Sequence, residues 1–399
     1  MIFMQAVILS FDSLTANSLG CYGNDWIETP NWDRLAACGV VFNRYFADTT
    51  GQIAGMAWAN GQHSLAPLPP VTRVSLGSRL RSLGVATKLI ATNQQQIWQK
   101  AVEPDVFLTV EGREGSDVQP HEVPIAQLVK AGLSAWNEPA FQGQPRLLWL
   151  HAPAPGTPPQ GFESLYFDDF EERGEQISEL TDEQLANHPA VYAGSVSLID
   201  YWLGEWLNGL ESQTQNEPTL LIIMAAKGYP WHRILPSKSS ESPSVQSPLN
   251  DQCIRAPLVL KVSGDDRFKE FTCVRSDRLV QTCDLVPTLL DWFGTKSTGD
   301  DFVFAGQSWL KEMTEAVPAR AFLRIGDGGC FEAIRTAEWL SVRDKSVVAN
   351  SNIPAKTPIP SAWLFVKPED IWDVNNVAAQ HADRIQELWS HIASEAPFD

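Results

Sequence analysis

The sequence predicts an α/β fold: a doubly wound, mostly parallel sheet sandwiched by helices, followed by a small C-terminal antiparallel sheet and a helix. Three observations predict it. Short apolar runs rich in Val, Ile or Leu recur at 5–11, 85–91, 146–151, 219–225 and 257–262, without the polar alternation of a half-solvated strand. Strands buried on both faces read this way. Helical patterns lie between the runs, which is the alternation of a doubly wound sheet. After about residue 315 the pattern changes to short strands at 321–325, 331–335, 338–342 and 363–366, separated by Gly, Asn or Pro, and these read as antiparallel. The expected division is residues 1–315 for the α/β part and 316–399 for a C-terminal α+β subdomain.

Taken in order, the first run ends in Asp12. A helix follows from Pro30, placed at a first helical position after Thr29, and closes at Gly39. Residues 153–161 and the Ser- and Pro-rich 236–250 read as loops. Apolar residues at helical spacing predict a helix over 191–210, with Asp200 near its middle. Another runs over 284–294, with Asp284 as its acidic cap and Pro287 in its first turn. Gly326-Asp-Gly-Gly329 is a hairpin turn. Asn376 is read as the cap of a terminal amphipathic helix ending near Ser394. The sequence shows no internal repeat.

The 399 residues carry a net charge of -18, which argues against a nucleic-acid partner because phosphate binding needs a basic face. Nine carboxylates and one arginine between Glu163 and Glu183 read as a solvated face and not a metal site. Six cysteines without a C-x-x-C suit reduced, mostly buried thiols and a cytoplasmic setting. Residues 1–11 lack a basic n-region and a cleavage site, so they read as the first strand and not a signal peptide. No apolar stretch approaches the ~20 residues of a membrane helix. Fifteen tryptophans, among them Trp202, Trp206, Trp231 and Trp309, leave room for an aromatic binding surface, although packing explains most of them better. There is no G-x-S-x-G elbow, phosphate-binding loop, H-E-x-x-H or G-x-G-x-x-G.

The order of motifs resembles the sulfatase family of the alkaline-phosphatase superfamily. Residues 6–12 form a strand ending in Asp12, and Leu19-Gly-Cys-Tyr-Gly23, Thr29-Pro-Asn-Trp-Asp-Arg-Leu35 and Gly39-Val-Val-Phe42 follow. Further along come Tyr192 to Asp200 with Leu203-Gly204, Arg255-Ala-Pro-Leu258, Asp284-Leu-Val-Pro-Thr-Leu-Leu290, Lys367-Pro-Glu-Asp370 and Asn375-Asn-Val-Ala378. The resemblance implies the fold and a metal-dependent sulfuric-ester hydrolase with Ca or Mg. It also implies export for most relatives, so a cytoplasmic address is a departure. These motifs are mostly caps, turns and packing positions, and they report fold more than catalysis.

The resemblance also implies that the reaction centre is lost. Where the family has Cys/Ser-x-Pro-x-Arg, whose Cys or Ser matures to a formylglycine nucleophile, this chain has Gly51 to Gly61. Counting back from Asn60-Gly61 puts Gly51 in the nucleophile's place and Gly55 in the arginine's. Of the former metal site Asp12 remains, but the later Ser-Asp-His/Asn-Gly turn reads Ala225-Ala226-Lys227-Gly228. One carboxylate does not hold a divalent ion, so no metal is expected. The Lys227 ammonium either replaces the ion as counter-charge to Asp12, sparing a costly unpaired carboxylate, or snorkels to solvent. Among the former substrate positions, Thr92 stands for the lysine and Gly156 for the second histidine, while His151 survives as the first. Lys88 reads as an edge or surface residue and not a transplanted ligand.

The resulting reading is a catalytically inactive pseudosulfatase with a binding or regulatory role, and a small anionic ligand in the old pocket is the candidate for it. Two alternatives stay open. One is an active sulfate or phosphate ester hydrolase using Thr50 as nucleophile, with His232 of the Pro230–Arg233 cluster as a base. The other is a structural partner, in a hetero-complex or a homo-oligomer.

Overall fold

The central strands of the α/β part are continuous apolar runs because both of their faces are covered. The computed structural model describes residues 3–51, 57–66, 74–92, 97–181, 184–185, 187–211, 217–230, 247, 249–294, 304–314, 318–345 and 362–394. Its strands are β1 (Gln5–Phe11), β2 (Val40–Phe42), β3 (Tyr45–Phe46), β4 (Ala86–Thr92), β5 (Val106–Val110), β6 (Arg146–Ala152), β7 (Thr219–Ala225) and β8 (Leu258–Ser263). They continue as β9 (Val274–Ser276), β10 (Val280–Gln281), β11 (Leu323–Gly326), β12 (Phe331–Arg335), β13 (Trp339–Asp344) and β14 (Ala362–Val366). Eight of them form one sheet in the order β5-β4-β6-β1-β7-β8-β2-β9. It is parallel from β5 to β7, whereas β8 runs antiparallel to both β7 and β2.

Every residue of β1, β6 and β7 is buried. The flanking helices supply the cover: Pro30–Ala37 and Pro124–Trp136 pack on Pro189–Glu211, and Leu285–Phe293 packs on Trp309–Thr314. The central strands thus appear at or within one residue of the predicted apolar runs. β2, β5 and β9, short or partly exposed, carry too little periodic signal to be read from sequence.

The C-terminal sheet is antiparallel throughout, in the order β11-β12-β13-β14. Period-two alternation divides its side chains between two cores. Ala333, Leu340, Val342 and Phe365 pack with Phe46, Leu249 and Ile254 of the α/β part. Ile334 and Leu364 face the helix Ala382–Ser394 through Ile385, Leu388 and Trp389.

Four local expectations need correction. Asn376 does not cap the terminal helix, which starts only at Ala382; its Oδ1 accepts from Leu364 N and Ala378 N and pins the chain to β14. Asp284 does not cap the helix Leu285–Phe293. It is fully buried, held by Arg320 at 2.5 and 2.6 Å and by the backbone amides of Gln281 and Gln307. Lys88 is neither an edge nor a surface residue, because β5 covers the outer side of β4; its ammonium pairs with Glu138 and lies 4.6 Å from the Phe141 ring centre. All six cysteines are free, but only Cys21, Cys253 and Cys283 are buried, with Cys38 half-buried and Cys273 and Cys330 exposed. Among the described residues no helix is long and apolar enough to cross a membrane. Trp206 and Trp309 are fully buried and Trp202 nearly so, as packing predicts, while Trp231 lies outside the described residues.

Candidate functional site

The C-terminal ends of the parallel strands β6, β1 and β7 lie side by side, in the register His151–Ser10–Met224 and Ala152–Phe11–Ala225. The residues that follow these ends must meet in space, as in other open α/β sheets. Asp12 leaves β1 with its amide bonded to Ala152 O at 2.9 Å, and its side chain is 47% exposed. His151, on the neighbouring strand, is fully buried, and its Nε2 stands 3.7 Å from Asp12 Oδ1.

Sequence reasoning missed what fixes that histidine. Ser10 Oγ accepts from Trp149 Nε1 at 2.7 Å and lies 2.8 Å from His151 Nδ1, against 3.4 Å to Leu150 O. With an indole N–H occupying one lone pair, the hydroxyl proton is best directed at Nδ1. The ring proton then sits on Nε2, towards Asp12. Trp98 packs against the imidazole at 4.2 Å between ring centres, with the ring planes tilted by 49°, and Trp58 and Trp149 complete an aromatic wall. Burial pushes the His151 pKa down against the pull of Asp12. The only sequence signal for this arrangement is that Ser10 and His151 lie at matching depth in two apolar runs, which requires the register to be known.

The turn after β7 carries Ala226 and Lys227. Ala226 N donates to Phe11 O, and Leu14 N donates to Lys227 O at 3.0 Å, so this turn is stitched to the exit of β1. Lys227 neither ion-pairs directly with Asp12 nor runs free to solvent: its Nζ donates to the Thr50 carbonyl at 3.1 Å. Its charge still reaches Asp12. Burial raises the Asp12 pKa, but the interaction with His151, 3.7 Å away, and then the charge of Lys227 outweigh it, and the net shift is downward. Replacing Lys227 with methionine should therefore raise the Asp12 pKa, read by carboxyl NMR titration; an unmoved Asp12 would show that the ammonium plays no part there.

Thr50 and Gly51 sit against the C-terminal hairpin. Thr50 N donates to Gly326 O at 3.0 Å, and Thr49 bridges Gly326. A Cβ on Gly51 would lie 2.8 Å from the backbone oxygen of Asp327, so no side chain fits there unless the hairpin moves. Gly55 and His232 lie outside the described residues. Thr92 is buried at the end of β4. Lys88 lies four residues earlier on the same strand, about 13 Å away at strand rise. Gly156 packs on Glu114, whose carboxylate would meet a Cβ there at 2.4–2.6 Å, and Ser195 Oγ holds its carbonyl at 2.6 Å. Burial raises the Glu114 pKa. The cavity between Glu114, Phe11, Pro153 to Pro158 and Ser195 measures about 40 Å³, which has room for water but not for an organic substrate.

The Sulfatase family profile covers residues 5–295. The chain belongs to the sulfatase family. A search of curated protein sequences finds no match. Among solved structures it is similar to a phosphonate monoester hydrolase of Agrobacterium radiobacter (TM-score 0.69, 15% identity, 98% of this chain and 95% of that one). It is also similar to Ps i-CgsB in complex with k-i-k-neocarrahexaose (0.68, 16%, 98% and 92%) and to BT1596, a 2-O GAG sulfatase (0.68, 15%, 98% and 90%). At these identities the likeness shows the fold, that of the alkaline-phosphatase superfamily.

The family implies a Ca or Mg ion, and the described residues of this sulfatase-family chain do not fit one. Such an ion takes about six oxygen ligands or more. Asp12 offers a carboxylate, but Ala226 offers no side-chain donor, Lys227 brings a cation, and Asn17 Oδ1 is taken by Arg255 at 2.9 Å. Among the described residues no three His, Cys, Asp or Glu side chains converge.

Proposed function

We propose that this sulfatase-family protein is a catalytically inactive pseudosulfatase whose retained fold serves binding or regulation. The observation that carries this reading is the closure of the nucleophile position: Gly51 lies under the Asp327 carbonyl, with no space for the atom that would bear a hydroxyl or thiol. Lys227 supports it, because the turn where the family has metal ligands carries an ammonium here, whose charge helps to lower the Asp12 pKa. The Thr50 route gains nothing from the geometry, since the contacts of Thr50 with Gly326 and Lys227 go through its backbone.

Glu114 faces Gly156 where the family has a histidine, so Asp12 and Glu114 set two carboxylates against the Lys227 ammonium. That balance suits a neutral or cationic group better than a small anion. A wider cleft of about 380 Å³, lined by Asn17, Tyr22, Trp26, Phe170, Arg173 and Trp372, has the size for a small ligand. A reducing, cytoplasmic setting belongs to the same proposal and is supported by six free cysteines.

The test is turnover of aryl sulfate and aryl phosphate esters, with calcium and magnesium each supplied in excess. No turnover above the rate without protein is expected, and Gly51→Ser should add none while lowering stability by about 1–3 kcal/mol through the clash. Turnover that Thr50→Ala abolishes would establish the hydrolase instead.

A further inference from the structure

We infer that the cleft between the exit of β1, the helix Phe167–Glu171 and the turn after β14 binds an organic ammonium group, a methylated amine carried on a small ligand. This gives the chemical class for the binding role proposed above, and it rests on that reading. The cleft measures about 380 Å³, which has room for such a ligand. Four aromatic side chains line it: Tyr22, Trp26, Phe170 and Trp372. Trp26 and Phe170 adjoin, with ring centres 5.8 Å apart and planes at 68°. Trp26 Nε1 donates to Asp169 Oδ2 at 2.6 Å, which fixes the indole. Tyr22 is anchored as well, since its hydroxyl donates to Leu258 O at 3.0 Å and accepts from Leu258 N at 2.8 Å. Trp372, 42% exposed, stands beside Asp373, whose carboxylate is tied to Lys367 at 2.5 Å. Rings held in place before the ligand arrives cost little to order on binding.

The charges around these rings favour a cation. The negative face of an aromatic ring attracts one, and tryptophan does so best. Asp25 also lines the cleft and is exposed, and the exposed Asp168, Glu171 and Glu172 flank Phe170 along the chain. An anionic group would meet these carboxylates, on a chain of net charge -18. Arg173 is the one cation of the lining among the described residues. Its guanidinium carbon lies 5.6 Å from the Phe170 ring centre, within the range at which a ring holds a cation, and its side chain is exposed. Arg173 therefore marks a place where this wall already takes positive charge, and it competes with a ligand ammonium there. Removing it should tighten the binding of an ammonium, whereas it should loosen the binding of an anion or of a ligand held through hydrogen bonds.

Tetramethylammonium is the probe, titrated into the full chain to about 50 mM at constant ionic strength, with tert-butanol as an uncharged counterpart of similar size. The indole N–H resonance of Trp26, identified by its absence from Trp26→Leu, reports binding at this cleft. The expected result is a saturating shift with a dissociation constant on the order of 1 mM for so small a ligand, and a response to tert-butanol about tenfold weaker. Trp372→Ala should raise the dissociation constant about two- to fivefold, the effect of an exposed cation–π contact. Asp25→Asn should also raise it, and Arg173→Gln should lower it. Circular dichroism checks that each variant is folded. No saturating shift up to the highest concentration overturns the proposal. So do equal responses to the two probes, or weaker binding by folded Arg173→Gln. Ester turnover is read separately, because it bears on catalytic inactivity and the ammonium titration bears on the ligand.

Discussion

Lys367→Met is expected to destabilise the protein by about 3–5 kcal/mol, the cost of breaking a buried ion pair from one side. The Lys367 side chain is fully buried at the end of β14, 2.9 Å from Asp251 Oδ2 and 2.5 Å from Asp373 Oδ1, and it also donates to Asp370 O. Arg335 is the other cation of the cluster, 3.5 Å from Asp251 Oδ1. Without Lys367, two buried carboxylates share one guanidinium, and the contact between the C-terminal sheet and the helix Asp251–Ile254 loses its charge balance. Urea unfolding measures the loss, and a midpoint shift equivalent to less than about 1 kcal/mol would contradict it.

The same cluster sets a pH dependence. Burial, and then the Asp251 charge, push the Asp373 pKa up to about 7 against the pull of Lys367. A raised folded pKa means that stability from this group is fully present below its unfolded value near 3.8 and is lost as pH rises through about 7. Asp251 has the opposite sign. Burial raises its pKa, but Arg335 and Lys367 outweigh that, so its contribution is present above 3.8 and lost on further acidification. Asp373→Asn should therefore gain on wild type between about pH 4 and 7. A constant difference across that window would remove Asp373 as the source.

Gly228→Ala is the second large effect, at about 3 kcal/mol, near the upper end for overpacking. A Cβ there would stand 1.9 Å from Gln252 O and 2.9 Å from Arg255 O, both backbone atoms. Neither can retreat freely, because Gly228 N is bonded to Cys253 O and the adjacent Asp251 sits in the charge cluster. The strain should also displace Lys227, so thermal unfolding and the Asp12 titration should shift together. The close backbone approach explains why a glycine stands at 228.

Much of the fold was legible because burial on both faces writes a continuous apolar run, and a run of seven such residues admits few other readings. The C-terminal sheet was legible from its turn residues. The caps were read less well. Thr29 looks like the start of the first helix, but the amides of Asn31 and Trp32 are satisfied by Asp200, 168–169 residues away, which makes the motif ending in Asp200 a tertiary cap. Asn376 and Asp284 likewise spend their oxygens on distant or flanking backbone. A side chain that accepts from any nearby amide carries no mark of which amide that will be.

By itself, the sequence determined the family and the order of strands and helices, since these depend on composition and spacing along the chain. The tertiary structure alone decided that the Asp327 carbonyl closes over Gly51, that Ser10 and Trp149 orient His151, that Lys227 reaches the Thr50 carbonyl, and that Glu114 fills the space beside Gly156. The physical reason is range. Strand and helix signals arise between residues a few positions apart, whereas each of these contacts joins segments that only the folded sheet brings within a few ångströms.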